Sequence, residues 1–227
     1  MRNKTASQNR LALVGARLPG LGIGGARLID ELGFNPEVYH LNEAHAVSSV
    51  FYLYRKYGSI NEIKKRLVFT THTPEEAGNE KHDIYFLQNL SFFCGLPMEE
   101  VRAISGIYDN TFNHTLVGLR FSHKANGVSK LHGEVSRHMW EGYDGVCPIT
   151  HITNAQNKNF WADPFLEEAR VANNPAGILK RKARLKHKLF DVVAYQTGKL
   201  FKYDVLNIVW DRRFEEYKRP ELITRDH

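Results

Sequence analysis

The 227 residues are 42% hydrophobic and 25% charged, a balance that suits a globular chain and excludes wholesale disorder. Lys and Arg number 31 against 25 Asp and Glu, a net charge of +6 that favours anionic partners without distinguishing phosphate, nucleotide or nucleic acid. Two cysteines without paired spacing argue for a reduced, cytoplasmic setting over a disulfide-stapled one, and no apolar run reaches the roughly 20 residues of a membrane helix.

Residues 1–10 are polar and basic and lack a signal-peptide pattern, so they read as a loose terminus. Gly20, Gly22 and Gly25 form G-x-G-x-x-G behind an apolar run at 11–14, the signature of a dinucleotide loop. Arg17-Leu18-Pro19 separates run from glycines, and no acidic residue ends a convincing second strand at the required distance. The spacing therefore predicts a glycine-rich entry into a helix over 26–32, stopped by Gly33. Pro36 opens a short strand that runs into H-L-N-E-A-H at 40–45. Asn42 is a good N-cap, which places Glu43 and His45 in the first turn of a helix. Ala46, Val50, Leu53, Tyr54 and Tyr57 continue that helix to Gly58. Ser59 and Glu62 make a capping box for a helix over 60–66. A second strand over 67–71 then ends in F-T-T-H-T-P at 69–74. Two strand ends of this kind in tandem imply neighbouring parallel strands with converging loops, where open α/β sheets keep their chemistry.

Residues 74–83 read as an exposed loop, 84–93 and 98–104 as helices, 108–113 as turn-like, and 116–121 as a buried helix. A short strand over 125–128 leads through Asn126-Gly127 into Ser129 and a helix to His138. Residues 149–153 are β-rich, and 154–161 are polar and aromatic, suited to lining a cleft. Asn173-Asn174-Pro175 marks a boundary, giving domains 1–172 and 173–227. Beyond it Ile178, Leu185, Leu189, Val192 and Gln196 mark one face of a long helix ended by Gly198. Its basic face, 180–188, lacks interleaved aromatics and suits solvent better than a nucleic-acid groove. Residues 205–210 read as a buried strand.

Arg212, Arg213, Lys218 and Arg219 follow that strand. They are either a solvated basic loop or a clamp in which a guanidinium fork and an ammonium share a phosphate. The spacing of His40, Glu43, His45 and His72 is not H-E-x-x-H and supports no zinc site. Histidines so placed more commonly hydrogen-bond a hydroxyl-rich ligand or a neighbouring carboxylate.

Five segments in one order resemble the central part of the α-glucan phosphorylases, which act on glycogen, starch and maltodextrin. They are H-L-N-E-A-H (40–45), F-T-T-H-T-P (69–74), N-G-V-S-K-L-H-G-E (126–134), I-T-H-I-T-N (149–154) with Trp161, and R-R-F-x-x-Y-K-R (212–219). The resemblance implies an α/β fold: a Rossmann-like (GT-B type) parallel sheet, truncated, with the first strand and helix of a second Rossmann-like domain. It implies a retaining transfer in which inorganic phosphate cleaves terminal α-1,4-glucose to glucose 1-phosphate, with pyridoxal 5′-phosphate as cofactor. His72, Arg213 and Lys218 match the family's catalytic groups, His72 against the glucosyl ring and the two cations on phosphate. Asn42, Glu43, His45 and Tyr217 match residues that bind or support the sugar. Asn154-Ala155-Gln156-Asn157 departs from the usual T-N-G continuation. The resemblance assigns the cofactor-bearing lysine to no residue here, so the chain alone is expected to be inactive and to associate with a missing C-terminal half or with its own copy. Two other readings stay open: a non-catalytic glucan-binding module, and a GT-B glycosyltransferase using a sugar nucleotide.

Overall fold

The computed structural model describes residues 19–73, 75–212 and 218–225. Four parallel strands form the main sheet: β1 (Tyr39–Asn42), β2 (Leu67–Thr71), β5 (Lys124–Gly127) and β6 (Ile149–His151), in the order β1-β2-β5-β6. Register decides what each face carries. Leu41, Phe69, Ala125 and Ile149 lie in one cross-strand row, and Asn42, Thr70, Asn126 and Thr150 in the next. Because successive side chains alternate between faces, the first row is buried apolar and the second a polar ribbon.

Helices pack on the apolar face. After β1 come a 3-10 turn (Ala44–Ala46), α2 (Ser49–Tyr57) and α3 (Ile60–Lys64), with α1 (Gly25–Glu31) preceding the strand. Between β2 and β5 stand α4 (Ile84–Asn89), α5 (Met98–Ser105) and α6 (His114–Phe121), and α7 (Lys130–Trp140) joins β5 to β6. Helix α6 approaches β2 so closely that a Cβ on Gly118 would lie 2.5 Å from the Phe69 ring. Phe51, Phe92, Phe93, Phe112 and Phe121 fill the interior at 0–2% exposure. Phe51 meets Phe93 edge-on at 5.0 Å and Phe92 meets Phe112 at 5.6 Å, geometry that adds to their area burial.

The structure departs from the sequence reading in the β3–β4 region and at residues 205–210. Residues expected as loop and turn form an antiparallel pair, β3 (Lys81–Asp83) with β4 (Thr111–Asn113). Strands of three residues are too short to show a two-residue period. Each instead leads into a helix that it caps: Asp83 accepts the Phe86 N–H at 2.9 Å, and Asn113 the Leu116 N–H at 3.1 Å. The Gly20–Gly24 segment, by contrast, enters α1 as expected, through a π-helical turn, and Gly22 is required there because a Cβ would lie 2.1 Å from Ser48 Oγ. Finally, residues 205–210, expected as a buried strand, pair with no strand among the described residues, and Leu206, Ile208 and Val209 are 72–86% exposed. An apolar segment without a neighbouring strand has no ladder to join.

Contacts divide the chain into two units, Met1–Ala155 and Gln156–His227. The second contains α8 (Lys158–Trp161), α9 (Pro164–Val171) and α10 (Pro175–Thr197). Asp163 caps α9 through the Leu166 N–H at 3.0 Å and receives the Arg181 fork at 2.9 and 2.6 Å, which ties α9 to α10. No described helix is long and apolar enough to cross a membrane.

Candidate functional site at the strand ends

Asn42 and Thr70 are register partners at the carboxyl ends of β1 and β2, so the loops after them converge. Glu43 follows at φ 63°, ψ 179°, a region populated almost only by glycine and held elsewhere only when its surroundings over-determine it. Here they do. The Glu43 N–H donates to Thr70 O at 2.8 Å. Its carboxylate Oε1 accepts the His72 backbone N–H and the Thr73 hydroxyl, the latter at 3.1 Å. Glu43 is thus outside the helix in which its sequence position suggested it, and one residue clamps both strand ends.

A second tie runs beneath the first. Thr70 Oγ1 donates to Asn126 Oδ1 at 2.9 Å, and His40 Nε2 lies 2.8 Å from the same hydroxyl. A hydroxyl has one proton, so His40 Nε2 carries the donor. The chain His40–Thr70–Asn126 therefore crosses three strands, and Asn126 continues it through Nδ2 to Gly127 O at 3.2 Å.

On the β5 side Ser129 caps α7, its hydroxyl accepting the His132 N–H at 3.1 Å, while the Val128 N–H donates to His132 Nδ1 at 3.1 Å. His132 is 7% exposed and its Nε2 has no partner among the described residues. Two glycines permit the fit. A Cβ on Gly127 would lie 2.8 Å from Gly133 N, and one on Gly133 would lie 2.9 Å from His151 Cβ.

Of the residues singled out from sequence, Asn42, Glu43, His45 and His72 gather around the ends of β1 and β2, with Asn42, His45 and His72 exposed. The His72 imidazole makes no hydrogen bond to a described residue, so its backbone is fixed and its ring is available to a ligand. Lys218 is half-buried and belongs to the second unit. Arg213 and Tyr217 lie outside the described residues. Sequence reasoning missed Thr70 and Asn126. Their one signal was the polar termination of two apolar strands.

A parallel sheet whose polar groups gather where neighbouring strands end is the ligand-binding arrangement of open α/β proteins. Sequence comparison supplies relatives. The chain is 43% identical over 206 residues to an uncharacterized protein of Methanocaldococcus jannaschii, covering 91% of this chain and 39% of that protein. It is 36% identical over 156 residues to the maltodextrin phosphorylase of Thermococcus litoralis, covering 62% of this chain and 19% of the enzyme. It is 26% identical to the glycogen phosphorylase of Aquifex aeolicus, covering 91% of this chain and 38% of the enzyme. No family model matches the chain. The chain is thus similar to α-glucan phosphorylases over much of its length and spans about one fifth to two fifths of the length of these relatives.

Proposed function

We propose that the ends of β1 and β2 form the glucosyl-facing wall of an α-glucan phosphorylase site. Inorganic phosphate there cleaves a terminal α-1,4-glucose to glucose 1-phosphate. The Glu43 clamp carries this reading. It expends a strained backbone and a carboxylate on fixing His72 and Thr73, and such strain gathers at functional positions. With its backbone held, His72 presents its ring to the sugar, and the exposed Asn42 and His45 offer further polar groups to sugar hydroxyls. The resemblance gives Arg213 and Lys218 the phosphate-binding role, in which a planar guanidinium fork gives two parallel hydrogen bonds and an ammonium a third. Tyr217 completes the sugar contacts.

Pyridoxal 5′-phosphate supplies acid–base chemistry through its phosphate group in such enzymes, and a lysine must bind it covalently. No described lysine is buried, whereas a lysine serving that role is desolvated to lower its pKa. The proposal therefore gives this chain's described residues no covalent role toward the cofactor.

Titrating the 15N-labelled chain with maltoheptaose, with and without phosphate, tests the wall. Shifts centred on His45, His72 and Thr73 are expected, together with no glucose 1-phosphate from maltodextrin and phosphate by the chain alone. Shifts confined to the second unit, or turnover of a nucleotide sugar, would overturn the reading.

A further inference from the structure

The β3–β4 pair carries a cluster that the proposed site does not use. His114 begins α6 and is 0% exposed, boxed edge-on by Phe92 at 5.2 Å and Phe112 at 5.0 Å. Its Nε2 lies 2.9 Å from His82 Nδ1, while its Nδ1 is buried with no partner among the described residues. An unpaired lone pair costs less in such a place than an unpaired N–H. The His114 proton therefore sits on Nε2 and is donated to His82. That leaves the His82 proton on Nε2, which faces Glu80 Oε1 at 3.8 Å. The His114 N–H also donates to Glu80 O at 3.1 Å, so the start of α6 is fastened to β3 by backbone and side chain together.

We propose that Glu80, His82 and His114 form a relay that latches β3 to the start of α6 and releases it on acidification. The latch holds while His114 is neutral. Protonating it would bury a cation with an unpaired N–H among phenylalanines. The charged groups around it oppose that cation as well. His82 from β3 and the exposed His45 from the 3-10 turn both repel it, and burial with these neighbours pulls the His114 pKa from 6.5 down to about 3. Among the described residues only Glu80 offers compensation, and it sits beyond His82. Phe86, stacked on His82 at 6.0 Å, contributes no charge. Lys81 and Asp83 alternate to the other face of the strand, where Lys81 pairs with Glu76 at 3.2 Å.

The sign follows from proton linkage. Opening the β3–β4 pair exposes His114 at its ordinary value near 6.5, so below that pH the open form binds one more proton than the closed form. The open population therefore rises about tenfold per pH unit until the folded-state value is reached.

Amide exchange, corrected for its intrinsic pH dependence, reads this directly. Between pH 6 and 4, protection at residues 81–83 and 111–113 should fall about tenfold per unit, while Phe69 and Ala125 in the main sheet hold theirs. The conservative variant H114F, which keeps an aromatic in the box, should flatten that dependence. Imidazole 15N spectra of the unaltered protein test the latch without relying on a variant: His114 should show the Nε2–H form and no titration above pH 5. A His114 midpoint near 6.5 in the folded protein, or a β3–β4 pair in H114F as acid-sensitive as in the parent, would overturn the inference.

Discussion

Glu43, at the end of one strand, accepts the backbone N–H of His72 at the end of the next. Through that contact a residue of one loop sets the position of the histidine expected to face a sugar.

Glu43→Ala keeps the strained backbone and removes the acceptor, and is expected to cost about 1–2 kcal/mol of stability, the worth of partly exposed hydrogen bonds to a charged group. Glu43→Gly removes the acceptor and relieves the φ 63° strain, so it should recover about 1 kcal/mol of that loss. Both should weaken maltoheptaose binding alike. Urea unfolding with parallel glucan titration separates the two effects, and a glycine variant that binds glucan like the parent would show the clamp to be dispensable.

Thr70→Val is nearly isosteric but cuts the His40–Thr70–Asn126 chain at its centre. Thr70 is 8% exposed, so Asn126 loses its donor in a largely dry place. A cost of about 2 kcal/mol is expected, read as a lower urea midpoint at unchanged slope.

Gly127→Ala should destabilise by about 1–3 kcal/mol, the usual cost of overpacking, because its Cβ would meet the backbone of Gly133 at 2.8 Å and of His132 at 3.0 Å. Backbone cannot rotate away as a side chain does, so α7 must lift from β5. A melting temperature equal to that of the parent would show that α7 has room to shift.

The helix pair of the second unit should respond to acid in its own range. Arg170 and Lys158 hold the Glu167 carboxyl down at about 2 from 4.5, and Arg181 holds Asp163 below its usual 3.8. Groups whose folded pKa is depressed stabilise above their unfolded values. That contribution is therefore complete above about pH 5 and lost as pH falls toward 2. Both groups are solvent-screened, so the loss should be modest and should shrink in 1 M salt. Amide exchange at Leu166 and Gly177 between pH 5 and 2 provides the measure.

What the sequence revealed follows from the length scale of each signal. β2 runs over Leu67–Thr71 as expected, and α7 starts after Ser129, because an apolar run and a hydroxyl N-cap are local signals. The parallel pairing of β1 and β2 was legible from two apolar runs ending alike in polar residues. The clamp was not, since nothing local marks a glutamate forced to positive φ by a carbonyl 27 residues away at Thr70. β3 and β4 were hidden for a related reason: Lys81–Asp83 and Thr111–Asn113 become strands only by meeting each other. Residues 205–210 show the converse, β-rich composition without a partner strand among the described residues.

The most direct test of the account follows the His72 imidazole by NMR as maltoheptaose is added to the full chain. A saturable shift of its ring signals, weakened in Glu43→Ala, is the predicted result. Glucan binding that saturates while those signals stay in place would contradict the assignment of the strand ends as the glucosyl wall.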